Sequence, residues 1–448
     1  MTAHAPRGIA AITVAGVRLS GRGWGFLGTS IALFFAAYVG GRQELVFVAA
    51  LVGALPVFAV IMVCVRRPRL AVTRAFSPHV IPAGTVASVS LVARNLATSA
   101  SARATWWDAV PWRPFTTADA DLPTLLARGA RFAGRGNAVG MSYDLRPPRR
   151  GNFPIGPLTV QVADVFGLAT STFVTGAPQS IVVTPEVIPL SDTGLSVPSG
   201  DGESRLVQRR ATGDEDDAMT REYRDGDAMR RVHWRASARK GDLMVRQEEQ
   251  RSFPEARVIV ETRRTGYRDV STDTDDGDVQ SAAFEWSVRM LAAVAVHLRR
   301  TGFLVSIEET GAPQLDSVSR GTRRTWADEE FLVSLASLSL TEGHESLPSR
   351  DRSSNGPIFA ILGSLEPEVL DWLVPQRRPG ELAVAFMARS LSGNDHIDKS
   401  VGMPTIAPAI GQRLVDAGWL VVPVRADDDH AAAWEAVVVE MGRSRGTA

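Results

Sequence analysis

The sequence predicts a multi-domain membrane protein: a two-helix transmembrane hairpin, then an antiparallel β-sandwich, then a three-layer α/β domain. Three observations predict it. Two uncharged apolar runs follow one another near the start of the chain. From about residue 70 to 190 the apolar residues recur with a period near two, as in half-buried strands. After Pro254 short apolar strands alternate with longer helical patterns, the mark of a mainly parallel sheet covered by helices.

The hairpin is placed at residues 23–65, with spans at 23–41 and 45–65. Neither run carries a formal charge, and only Arg42, Gln43 and Glu44 separate them. At about 1.5 Å rise per residue each reaches roughly 30 Å, the thickness of a bilayer's hydrocarbon core. The first run is too long for a signal-peptide core, and a second span follows at once. Trp24 sits at the entrance as an interfacial aromatic, and Pro56 lies where a transmembrane kink is tolerated. Arg7, Arg18 and Arg22 precede the first span and Arg66, Arg67 and Arg69 follow the second, against Arg42 alone in the turn. Positive residues stay inside. The reading is therefore a multi-pass protein of the inner (cytoplasmic) membrane with both termini cytoplasmic and residues 1–22 as an N-terminal tail. Cys64 is the single cysteine, so no intramolecular disulfide is possible, and a formal net charge of zero argues against a polyanion binder.

Residues 70–190 form the predicted Ig-like sandwich, with strands at 70–76, 86–94, 102–108, 142–145, 158–162 and 181–183 and a long loop at 111–140. Residues 191–217 read as a polar linker ending in Asp214, Glu215, Asp216 and Asp217. In the α/β domain, residues 253–448, strands are expected at 257–262, 304–308, 358–362, 382–386 and 419–424. Helices are expected at 282–300, 328–338, 366–373, 407–417 and 430–441. In the longest helix Val288, Leu291, Ala295 and Leu298 share one face, the stripe that packs on the sheet.

Most information sits in the Arg-rich segment, residues 218–252. REYRDGDAMRRVHWRASARKGDLMVRQEE has little hydrophobic periodicity and dense charge. Gly226 between Asp225 and Asp227 signals a tight turn. Its arginines suit bidentate pairing, either to lock the two cytoplasmic domains together or to bind a partner. Arg239 is expected to contribute to that lock. Glu222, Asp225, Asp227 and Asp242 interrupt the basic run, so nucleic acid is not an expected partner.

Arg221, Glu222, Tyr223, Gly226, Asp227, Arg230, Trp234, Ser237, Ala238, Arg239, Gly241, Leu243 and Arg246 match, in order and spacing, the signature of the "domain of unknown function 58" family, which the chain resembles. RGNFPIGPLTVQVADVFGLA, residues 150–169, and RLSGRGW, residues 18–24, look like further motifs of that family. The resemblance implies a bacterial membrane protein whose C-terminal domain is similar to von Willebrand factor type A domains. It implies a MoxR-type AAA+ ATPase as partner, with a transglutaminase-like membrane protein as a frequent associate. It assigns no activity. Type A domains often bind a divalent ion through Asp-x-Ser-x-Ser after the first strand, but here the stretch is Glu261, Thr262, Arg263, Arg264, Thr265. An arginine beside the ion would repel it, so no metal and no cofactor are expected.

Walker A, HExxH, CxxC and GxSxG motifs are all lacking, and the GxGxxxG at Gly134, Gly136 and Gly140 reads as a loop. Asp273, Asp275, Asp276 and Asp278 miss the calcium-loop register. Trp106, Trp107 and Trp112 are assigned to the sandwich core. The sequence therefore predicts a non-enzymatic, membrane-anchored interaction or scaffold protein, with the lipid bilayer as a further partner. The alternative is a hydrolase using Glu222 and Asp227 with His233, the one histidine of the Arg-rich segment.

Overall fold

The computed structural model describes residues 16–130, 136–191, 220–223, 229, 232, 234–246, 254–272, 279–315, 328–342, 347–348, 356–389 and 408–446. The expected linker, from 192 on, and the Asp273–Asp278 run lie outside them. Strand β1 (Gly16–Leu19) leads through Ser20 into α1 (Gly21–Gly40), and α2 (Gln43–Val65) returns. Ser20 caps α1 by accepting from the Gly23 amide at 3.1 Å, and Gly41 closes it in the left-handed conformation, φ 62°. The connection is shorter than predicted because Gln43 and Glu44 join α2, where Glu44 faces the positive end of the helix dipole. Ser30 Oγ donates to the Ala49 carbonyl at 2.7 Å, opposite Gly53, whose missing side chain lets the helices approach. Phe35, Tyr38, Phe47 and Leu51 point outward, and both helices are long and apolar enough to cross a membrane.

Three sheets make up the β-rich unit. Strands β2 (Leu70–Ser77), β4 (Ala87–Asn95) and β7 (Ala138–Leu145) pair antiparallel. Strands β3 (Val80–Pro82), β8 (Gly151–Ile155) and β11 (Gln179–Thr184) lie in the order β3-β11-β8. A five-stranded antiparallel sheet runs β1-β10-β9-β5-β6, with β5 (Ala104–Asp108), β6 (Ala120–Leu122), β9 (Leu158–Ala163) and β10 (Ala169–Thr175). Period-two alternation buries Leu91 and Ala93 of β4 in one cluster with Trp106, Val160 and Val162 of the larger sheet. Buried Arg74 grips Asp108 through two bonds, 2.9 and 2.6 Å, and the Tyr143 hydroxyl donates to the same carboxylate at 2.6 Å.

Two expectations change here. Residues 16–19, read as tail, form an edge strand whose Gly16 to Leu19 pair with Thr172 to Ala169. The expected loop at 111–140 holds β6 and the start of β7, so Gly140 lies in a strand opposite Val92. Both strands are set by distant partners, which local periodicity does not report.

The Arg-rich segment contributes β12 (Thr220–Glu222), α3 (Trp234–Lys240) and β13 (Met244–Arg246). Beyond it, the parallel sheet has the order β17-β14-β18-β19-β20: β14 (Glu255–Val260), β17 (Leu304–Glu309), β18 (Ile358–Leu362), β19 (Ala383–Arg389) and β20 (Leu420–Arg425). A short ribbon, β15 (Ser271–Thr272) with β16 (Val279–Gln280), precedes α4 (Ala282–Arg300), followed by α5 (Asp328–Ala336), α6 (Pro367–Leu373), α7 (Pro408–Asp416) and α8 (His430–Gly446). One core is filled from α4, α5 and α8 and the other from α6 and α7, so apolar side chains pack on both faces of the sheet. Val288, Leu291, Ala295 and Leu298 are all buried, as their spacing predicts.

Val187 and Leu190 pack on the α/β core, Trp434 Nε1 donates to the Ser191 carbonyl at 3.1 Å, and a charged contact between the two units is made by Arg150, just ahead of β8. Its Nη2 donates to the Leu338 carbonyl at 2.7 Å and lies 3.2 Å from Glu285, and its Nη1 reaches the Leu335 and Leu338 carbonyls at 3.4 and 3.3 Å. The guanidinium stands 5.2 Å over the Phe284 ring. It thus caps the carbonyl end of α5 and faces the first turn of α4.

Candidate functional site

The Arg-rich segment folds on itself. Thr220, Arg221 and Glu222 of β12 pair with Arg246, Val245 and Met244 of β13, and the Tyr223 amide donates to the Leu243 carbonyl at 2.8 Å. Ser237 Oγ in α3 accepts from the Met244 amide at 2.8 Å, tying helix to hairpin. Gly241, φ 85°, ends α3 by donating to the Ser237 carbonyl at 2.9 Å, as a left-handed cap requires. Met244 is buried, whereas Trp234 is 65% exposed and Ala238 and Arg239 are also exposed. Gly226, Asp227, Arg230 and His233 lie outside the described residues, and Arg221, Glu222 and Arg246 are placed by backbone alone. The expected contribution of Arg239 to an interdomain lock is not what the fold displays: Arg239 faces outward and Arg150 makes a charged contact between the units. Sequence reasoning missed Arg150 because an arginine before a strand gives no sign of the carbonyls that await it.

A second cluster gathers at the carboxyl edge of the parallel sheet. The order reverses at β14, whose two neighbours β17 and β18 follow it in turn, and ligands of open α/β sheets bind outside the strand ends at such a switch point. Glu261, Thr262 and Arg263 leave β14 there and Thr310 leaves β17, and all four are buried. Glu261 Oε1 accepts from the Arg263 amide at 2.9 Å and from Thr310 Oγ1. Thr262 Oγ1 accepts from the Gly311 amide at 3.1 Å. The Arg263 side chain crosses the crevice, donating from Nε to the Thr310 carbonyl at 2.9 Å, with Nη1 3.7 Å from Glu366 Oε2. Burial pushes the Glu261 carboxyl above its ordinary range, with the Thr310 hydroxyl and Arg263 pulling the other way.

These residues do not fit a divalent ion. The hydroxyls of Thr262 and Thr310 are committed to backbone and carboxylate, and a guanidinium occupies the space between the strand ends. Among the described residues no group of three His, Cys, Asp or Glu side chains could hold a metal.

Residues 219–302 match the family model described as "protein of unknown function DUF58". This segment carries the DUF58 pattern. That match runs from β12 through α4, so it takes in Phe284 and Glu285, which receive Arg150. No curated protein sequence matches the chain. Among solved structures, the chain is similar to the CARDB domain of a Pyrococcus furiosus protein in complex with di-metal ions, at 12% identity and TM-score 0.18, over 27% of this chain and 97% of that one. It is also similar to a Listeria innocua β-glucosidase in complex with glucose, at 10% identity and TM-score 0.18, over 27% of this chain and 17% of that one. A Pseudomonas fluorescens alkylpurine DNA glycosylase bound to DNA follows at 9% identity and TM-score 0.16, over 32% and 39%. At these scores the likenesses say nothing about this chain's fold or activity.

Proposed function

We propose that this protein is a membrane-anchored scaffold that holds an α/β unit of von Willebrand factor type A kind at the cytoplasmic face for a MoxR-type AAA+ ATPase to engage. The β-rich unit is read as a sandwich. Carrying the proposal is the continuity of the route from hairpin to parallel sheet. Strand β1, before α1, pairs with β10, beyond α2, which supports both ends of the hairpin lying on one side of the bilayer. From that unit Arg150 enters the α/β unit. The arginine counts on either side of the hairpin favour the cytoplasm as that side.

A scaffold needs a fixed presentation more than a reactive pocket, and at the sheet's carboxyl edge the chain fills the crevice with its own Arg263. The test is crosslinking of the full-length chain in native membranes, with the partners identified by mass spectrometry. Fragments starting at Leu70 are unsuitable, since they lose β1. An AAA+ ATPase in the crosslinked set, retained under conditions that trap bound nucleotide, is expected. Absence of any such ATPase with and without nucleotide refutes the reading.

A further inference from the structure

The turn between β9 and β10 carries two large apolar side chains in the open, Val165 at 79% and Phe166 at 58% exposure. It is a stiff turn. Asp164 Oδ2 accepts from the Phe166 amide at 2.8 Å and Oδ1 from the Ala169 amide at 2.7 Å, while the Gly167 amide donates to the Asp164 carbonyl at 3.2 Å. Gly167, φ 69°, supplies the left-handed residue.

The turn's place is set by the hairpin. Strand β1 runs straight into α1, and its last residue, Leu19, pairs with Ala169, the first residue of β10, so the β9–β10 turn lies at the end of the sheet nearest the helices. The Ser20 amide donates to the Leu168 carbonyl at 2.8 Å and Ser20 Oγ to the Gly167 carbonyl at 2.7 Å. Gly23 sits so close that a Cβ would come 2.3 Å from the Leu168 oxygen. Leu168 and Ala169 pack against Ala59 and Val63 of α2. Ala59 is six residues before the end of α2, about 9 Å along the axis, so the turn lies beside the last two turns of one helix and the first of the other.

We propose that Val165 and Phe166 are inserted into the bilayer as a third contact between headgroups and acyl chains, resting on the reading that α1 and α2 span the membrane. The occupant is lipid, because the patch is continuous with the hairpin's lipid-facing surface. Exposed Trp24 stands in the first turn of α1 at this level, and exposed Arg22, Arg66, Arg67 and Arg69 flank it with charge suited to anionic headgroups. Two spanning helices leave the cytoplasmic units free to rock, and a wedged turn off the helix axes removes that freedom.

The test uses the full chain with Cys64→Ser, reconstituted in phosphatidylcholine vesicles containing phosphatidylglycerol, with one cysteine at a time carrying an environment-sensitive fluorophore. Phe166→Cys reports the turn, Val57→Cys the middle of α2, and Ser180→Cys the start of β11. Spin-labelled lipids quench by depth. The proposal expects position 166 to be quenched several-fold more than 180, and most strongly by labels near the headgroup, with 57 quenched most by labels deep in the chains. If 57 is quenched and 166 behaves like 180, the turn does not enter lipid and this proposal falls while the spanning reading stands. If neither 57 nor 166 is quenched, both fall.

Discussion

Replacing Arg150 by alanine removes a charged side chain, only 6% exposed, that the β-rich unit places against α4 and α5 of the α/β unit. Its guanidinium donates to the Leu335 and Leu338 carbonyls, faces Glu285 at 3.2 Å and covers Phe284 at 5.2 Å. Burial lowers the arginine's pKa, and the Glu285 carboxylate acts in the opposite direction. Glu285 is partly exposed and can rehydrate once alone, but the α5 carbonyls stay enclosed. Losing one partner of such a buried charged contact costs about 3 kcal/mol, the lower end for buried ion pairs because one side reaches water. For a unit of this size that is roughly 6 to 12 °C in midpoint. Thermal unfolding of the full chain in detergent, followed by intrinsic fluorescence and by limited proteolysis, checks it. Arg150→Ala should lower the first transition and expose the segments flanking α5 to protease. Arg150→Lys, which keeps the charge but loses the fork, should fall between. An unchanged midpoint together with an unchanged proteolytic pattern refutes the lock.

Three further outcomes follow from the geometry. His430 is buried, stacks on Trp286 with ring centroids 4.6 Å apart, and has its pKa lowered to about 4, first by burial, with the Trp286 carbonyl and Asp429 raising it and Arg289 lowering it further. Below its ordinary value of 6.5 the unfolded chain takes up a proton that the folded one refuses, so stability is lost as pH falls from about 6.5 to about 4. The loss is at most about 3 kcal/mol at about 1.4 kcal/mol per unit, and urea midpoints for His430→Gln should be flatter over that window. Asp108→Asn leaves the Arg74 guanidinium buried without its charged partner and should cost about 3 to 5 kcal/mol in denaturant unfolding; a cost below about 1 kcal/mol would contradict the geometry. Millimolar Mg²⁺ or Mn²⁺ should leave the unfolding midpoint in place, because Arg263 fills the sheet edge; a rise of several degrees would overturn that.

The elements most legible in the sequence were those whose signal is local. The stripe in α4 predicted its bounds, Ala282–Arg300, and the continuous apolar run of β18 predicted Ile358–Leu362. Strands β1 and β10 escaped because GVRL is too short to show alternation and ATSTFVT too polar; each is a strand by virtue of the other. Within the Arg-rich signature, the positions whose work is visible are a brace and a cap, Ser237 and Gly241, which serve the segment's own fold. Arg263 was legible as an obstacle to a cation, since charge repulsion needs only the residue type. What it bonds to was not, because Thr310 and Glu366 arrive from other strands.

Arg150 and Arg263 show why the same residue type serves two ends of one route. Leu338, whose carbonyl Arg150 holds, is three residues from Thr341, whose amide donates to the Thr262 carbonyl at 2.8 Å and whose own carbonyl accepts from the Arg264 amide at 2.9 Å. A bound carbonyl at 338 therefore anchors the segment that edges the crevice. On the other side, Arg150 adjoins β8 of the unit whose β10 pairs with β1 and abuts the hairpin. Each joint is a hydrogen-bonded or close-packed contact. The packing of the β-rich unit on the hairpin and the position of the crevice edge are thus linked by one continuous run of contacts, the fixed presentation that the proposed scaffold role requires.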